Sequence, residues 1–217
     1  MPLPTKESIP GLLVRNLSRE LVLGIEEALL VGAQRAYAAA HGMNEGHLAH
    51  AVGQQRHFHM NEAFQRALAT AGASPTPISG NTIVTGRCGI FTLARFNIPD
   101  GFWINSRRSK TRRQMSFANR AMEPLVQPEL FSDFQLPADA VAFFAACFSG
   151  SIHVQPAAPI SIQIAVPDRE MRGWLFREDV GDFVKRFDQA SSGQRDMARP
   201  TLKKNINKRQ DKDGTSQ

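Results

Sequence analysis

The chain has 217 residues, 42% of them hydrophobic, which is enough to bury one sizeable core and short for two full domains. Its 26 lysines and arginines outweigh 20 acidic residues, a formal charge of +6 that favours anionic partners without choosing among nucleic acid, an acidic protein and a membrane surface. Cys88 and Cys147 make no CxxC pattern, which argues against a disulfide framework or structural zinc site; the Pro-rich start lacks a signal-peptide core and no apolar run approaches the roughly 18 residues of a membrane span, so a soluble, cytoplasmic protein is expected.

After the loose Pro-rich start, Asn16 or Ser18 is placed to cap a helix in which Leu17, Leu21, Ile25, Ala28 and Gly32 recur at three- and four-residue spacing, ending near Gly42. A second helix is predicted from Asn44 to Ala71, broken by the Gly, Ser and Pro of residues 72–77, and the two should form an antiparallel hairpin. From Thr82 the composition turns to strand. Gly86-Arg87-Cys88-Gly89 reads as a hairpin turn, followed by an interior strand from Ile90 to Ile98 with apolar residues on both faces. Pro99-Asp100-Gly101 is a turn signal, and Phe102 to Ile104 is expected to pair back as the third strand of an antiparallel meander.

Residues 106–123 read as helical, with Met115, Ala118 and Met122 on one side, and Pro124, Pro128 and Pro137 then mark a loop. The run from Ala138 to Phe148 is apolar nearly all round and is predicted as a buried helix. Ile160, Ile162, Ile164 and Val166 alternate as in a half-buried strand, and Phe176, Val180, Phe183, Val184 and Phe187 follow an amphipathic helical period. The fold class is therefore α+β: a helical hairpin, a three-stranded antiparallel meander, further helices and one later strand, in a single domain over residues 1–190. Residues 191–217 are basic, with Lys203, Lys204, Lys208 and Arg209, and hold little to bury, so they are expected to form a disordered tail.

Arg107, Arg108, Lys110, Arg112, Arg113 and Arg120 fall between Gly101 and Met122 without one acid among them. Such a cluster at the start of a helix opposes the helix dipole unless an anion is bound there, which makes phosphate the expected partner, with Phe102 and Trp103 close enough to stack on bases; a solvated basic loop is the alternative. The second constellation is polar and uncharged. At 100° per residue, His47, His50, Gln54, His57, Asn61 and Gln65 share one helical stripe, but imidazoles strung along one straight helix rarely close a tetrahedron, so no metal and no cofactor is expected. Cys88 beside Arg87 reads as a small strand-end thiol.

The predicted helix, three strands, helix order resembles the core of many metal-dependent nucleases, whose paired acids and lysine are missing from these strands. A different resemblance lies in Gln127-Pro128-Glu129-Leu130-Phe131, which is similar to the pentapeptide by which bacterial replication and repair proteins dock on the sliding clamp. Gln127, Leu130 and Phe131 match the groove-filling first, fourth and fifth positions, while Pro128 departs from the usual leucine. That match covers five residues and implies a clamp partner. The expected function is a DNA-associated protein without its own active site, serving repair or inhibiting replication as a toxin would. The alternatives are a nucleic-acid-processing enzyme using His47, His50 and His57, and an interaction module for an acidic protein.

Overall fold

The computed structural model describes residues 8–126, 137–150 and 155–196. Among them are six α-helices and a five-stranded sheet, so the α+β class holds. Helix α1 (Ile9–Asn16) lies in the stretch expected to be loose. Ser8 Oγ accepts from the Gly11 amide and Pro10 occupies the first turn, where a missing amide costs nothing, so this proline starts a helix whose Ile9, Leu12 and Leu13 are buried.

Helices α2 (Arg19–Ala40) and α3 (Glu45–Thr70) pack as the predicted hairpin, and both are capped as their sequences imply. Ser18 Oγ accepts from Leu21 N at 3.1 Å, and Asn44 Oδ1 from Gly46 N at 3.0 Å. Gly32 sets how closely the two helices approach, since a Cβ there would lie 2.9 Å from the Met60 Cα.

The sheet runs β1-β2-β3-β4-β5 in sequence order. Strands β1 (Thr85–Cys88) and β2 (Phe91–Pro99) form a hairpin, but its turn is Gly89-Ile90 rather than residues 86–89: Gly86, Arg87 and Cys88 pair with Leu93, Thr92 and Phe91, and only Gly89, at φ +55°, needs a glycine's backbone freedom. The other edge of β2 is not taken by residues 102–104. Strand β3 (Ala140–Phe148) pairs there in parallel, from Phe91 opposite Ala140 to Pro99 opposite Phe148, and Trp103–Arg108 is a 3-10 helix. The helix expected over 138–148 is thus the central strand. Its unbroken apolarity reports burial on all sides, which a strand between two covered faces satisfies as well as a buried helix.

An antiparallel three-stranded meander does occur, later in the chain, from β3, β4 (Ser161–Pro167) and β5 (Trp174–Asp179). Strand β4 is the predicted later strand. Phe176 belongs to β5, and helix α6 (Val180–Asp196) starts after it, where Asp179 Oδ1 accepts from Gly181 N at 2.9 Å; α6 continues past Ala190, the expected end of the domain.

Each face of the sheet has its own cover. Phe91, Leu93, Phe144, Ile162 and Ile164 pack under residues of α1, α2, α3 and α6. Ala94, Phe96, Val141 and Phe143 pack instead under the connection from β2 to β3, which contributes Trp103, Met115 and Ala118. That connection comprises the 3-10 helix Trp103–Arg108, α4 (Lys110–Ser116), a second 3-10 helix Phe117–Met122 and α5 (Glu123–Val126), so the predicted helix over 106–123 is present in segments. Among the described residues, no helix is long and apolar enough to cross a membrane.

Candidate nucleic-acid interface

The crossover from β2 to β3 carries all six clustered cations and sorts them by exposure. Arg108, Lys110, Arg113 and Arg120 are exposed, while Arg107 and Arg112 are half-buried. Arg112 turns inward: its Nε donates to the Ser106 carbonyl at 3.0 Å, its guanidinium lies 5.1 Å from the Phe96 ring centroid, and burial lowers its pKa. It pins α4 to the sheet. The outward residues Lys110, Arg113, Gln114 and Phe117 follow i, i+3, i+4, i+7 and line one shallow concavity of about 420 Å³. Two of the clustered cations therefore share one face with an amide and an aromatic ring.

Phe117 is 63% exposed, and on the preceding turn Phe102 and Ile104 are 59% and 71% exposed. Trp103, expected to be available for stacking, is not. Its ring lies 5.0 Å from Trp174 and 6.2 Å from Phe96, with the Arg177 guanidinium 4.6 Å from its centroid. Among the described residues none of the six cations pairs with a carboxylate, and the next acid along the chain, Glu123, accepts from the Arg169 amide at 3.1 Å. Ser109 Oγ caps the short α4 by accepting from Arg112 N.

Sequence reasoning missed the residue that holds this surface in place. Asn119 is fully buried; its Oδ1 accepts from Val141 N at 2.6 Å, and its Nδ2 donates to Val141 O at 3.0 Å and Pro167 O at 2.9 Å. The available signal was an amide at the inward spacing of Met115, Ala118 and Met122. The other predicted contacts, Gln127, Leu130 and Phe131 and the tail cations Lys203, Lys204, Lys208 and Arg209, lie outside the described residues.

The histidine stripe divides into an exposed upper half and a lower half in which Asn61 is buried and His57 and Gln65 are half-buried. His47, His50 and Gln54 are exposed, whereas Asn61 donates to Thr82 O at 3.3 Å and Gln65 to Thr76 O at 3.1 Å, so the lower half packs on backbone. His50, Gln54 and His57 border a cleft of about 570 Å³ with Ala49, Gly53, Phe58 and Asn81. Among the described residues no group of three or more His, Cys, Asp or Glu side chains is gathered to hold a metal ion.

Beneath the cleft lies Arg95, the one charged residue of β2 and 5% exposed. Its Nε donates to Asn61 Oδ1 at 3.0 Å, its Nη1 to Asn97 Oδ1 at 3.1 Å, and its Nη2 to the carbonyls of His57 and Arg56 at 2.8 and 3.4 Å; burial lowers its pKa to about 9. With its oxygen committed to Arg95, Asn61 presents Nδ2 to His57 Nε2 at 3.2 Å. The ring nitrogen then accepts, and His57 is a neutral imidazole with its proton on Nδ1. Arg56, 6% exposed, donates to Gln155 Oε1 at 2.8 Å and to the Pro156 carbonyl, and stacks 3.8 Å from the Phe148 centroid; burial lowers its pKa to about 10. Cys88 donates its Sγ–H to the Asn16 carbonyl at 2.9 Å and burial raises its pKa, so Arg87 does not activate it.

Burial, and then the charge of Arg95, hold the His57 pKa below its ordinary value of 6.5. A depressed histidine contributes stability that is complete above pH 6.5 and disappears as pH falls through the folded-state pKa. Urea unfolding at pH 7.5 and pH 5 should therefore show the wild type losing more stability on acidification than His57→Gln; equal losses would contradict this protonation state. No protein-family model matches the chain, and no curated protein or solved structure matches it either.

Proposed function

We propose that the protein binds single-stranded nucleic acid through the crossover between β2 and β3, with no active site of its own on that surface. The observation that carries this reading is the shared outward face of Lys110, Arg113, Gln114 and Phe117. Two cations supply phosphate contacts, and the exposed ring supplies a platform for a base, with Phe102 and Ile104 as further apolar contacts on the adjoining turn. A duplex keeps its base faces stacked, so a protruding phenylalanine gains most from a single strand. Arg108 and Arg120 extend the positive surface beyond this face.

Fluorescence anisotropy with a labelled single strand and its duplex, across a salt series, tests the reading. Four phosphate contacts at about 0.7 each predict a log–log salt slope near −3 for the single strand. Phe117→Ala should weaken single-strand binding by about 5- to 150-fold, the equivalent of roughly 1–3 kcal/mol for one stacked base, and leave the slope unchanged. Tighter binding to duplex, or an unchanged affinity in Phe117→Ala, would overturn it.

A further inference from the structure

We propose that the cleft bordered by His50, Gln54, His57, Phe58 and Asn81 is a second binding site, for a small phosphate ester that carries a planar group. It is formed by α3, which covers the opposite face of the sheet from the crossover, so it does not depend on the nucleic-acid reading. The first ground is charge. Arg56 and Arg95 are both buried, Arg95 donates to the Arg56 carbonyl, and among the described residues neither is paired with a carboxylate. Burying cations against neutral acceptors alone is costly and leaves their field uncompensated, and low-dielectric walls direct such a field toward the nearest opening.

The second ground is the relay that joins this charge to the cleft. Arg95 orients Asn61, and Asn61 fixes His57 as a neutral donor through Nδ1. His50, Gln54 and Asn81 add hydrogen-bonding groups, and among the described residues no acid lines the site. The third ground is shape. Phe58 is exposed and meets the His57 ring edge-on at 5.7 Å, giving an apolar wall, while Gly53 leaves the floor open, with nothing within 4 Å of where a Cβ would stand. About 570 Å³ is within the usual size of small-molecule sites. The phosphate would sit toward His50 and His57, and the planar group against Phe58 with Gln54 and Asn81 at its edge.

Calorimetric titration of the full chain with each of the four nucleoside 5′-monophosphates, with adenosine and inorganic phosphate as separate arms, tests this site. At least one monophosphate should bind saturably and shift the His57 ring resonances, with adenosine and phosphate each at least tenfold weaker. Gly53→Leu, which fills the floor, and Asn81→Asp, which adds a negative charge at the rim, should each weaken that binding at least tenfold without altering the melting temperature. Glutamates at Arg108, Lys110, Arg113 and Arg120 should leave it unchanged. The proposal is overturned if no monophosphate binds saturably, if binding survives both cleft variants, or if inorganic phosphate alone binds as tightly.

Discussion

Replacing Asn119 with alanine should destabilise the protein by about 3–6 kcal/mol, because three buried backbone groups would lose their partners at roughly 1–3 kcal/mol each and relaxation recovers part of the loss. The reason lies in the β3–β4 ladder, which pairs Cys147 with Ser161 through to Phe143 with Ala165. Continued by one more step on the same face, the ladder would bring Val141 opposite Pro167, and Asn119 occupies that place. It receives the Val141 amide and donates to both the Val141 and Pro167 carbonyls, so one side chain replaces a missing rung at the centre of the sheet. The same side chain fastens the second 3-10 helix of the crossover, so the alanine variant should also lose affinity for nucleic acid. Asn119→Asp should be no better, since it presents a second acceptor to two carbonyls. Urea unfolding beside Arg120→Ala, an exposed neighbour expected to change stability by less than about 0.5 kcal/mol, separates this from a general effect of altering the segment. A loss under 1 kcal/mol for Asn119→Ala would show that the amide is not the rung it resembles.

The elements that could be read from the sequence are those whose ends are chemically marked or whose period is unambiguous. Ser18 and Asn44 cap α2 and α3, Gly89 marks the turn from β1 to β2, and Ile162, Ile164 and Val166 alternate along β4. Strand β3 has no polar-apolar period, because both of its faces are buried and alanine, phenylalanine, valine and cysteine fill them; only the partner strands reveal what it is. At the end of the meander, Phe176 stands four residues before Val180, a helical spacing produced by a strand running directly into α6. Phe102 to Ile104 has strand-like composition, but the edge of β2 it would need is filled by β3 from far along the chain.

The site was legible in the same uneven way. Six cations without an acid are visible in the sequence, but their directions are not, since Arg112 is drawn inward by the Ser106 carbonyl and the Phe96 ring. Arg95 was visible as a lone charge in an apolar strand. Its significance depends on Asn61, 34 residues earlier, which only the packing of α3 on β2 brings to 3.0 Å.

The nucleic-acid interface is tested most directly by replacing Arg108, Lys110, Arg113 and Arg120 together with glutamate and measuring single-strand binding by anisotropy. All four side chains are exposed and none pairs with a carboxylate among the described residues, so the substitutions break no ion pair there, and a glutamate at position 110 suits the start of α4 better than lysine does. The melting temperature should therefore stay near that of the wild type. Affinity should not. Losing four phosphate contacts costs on the order of 10³-fold at 50 mM salt, and the reversed charges repel the strand further, so the salt slope should collapse from about −3 toward zero. Loss of binding by a folded variant is the predicted result; a folded variant that retains wild-type affinity and slope would place the interface elsewhere and contradict the account.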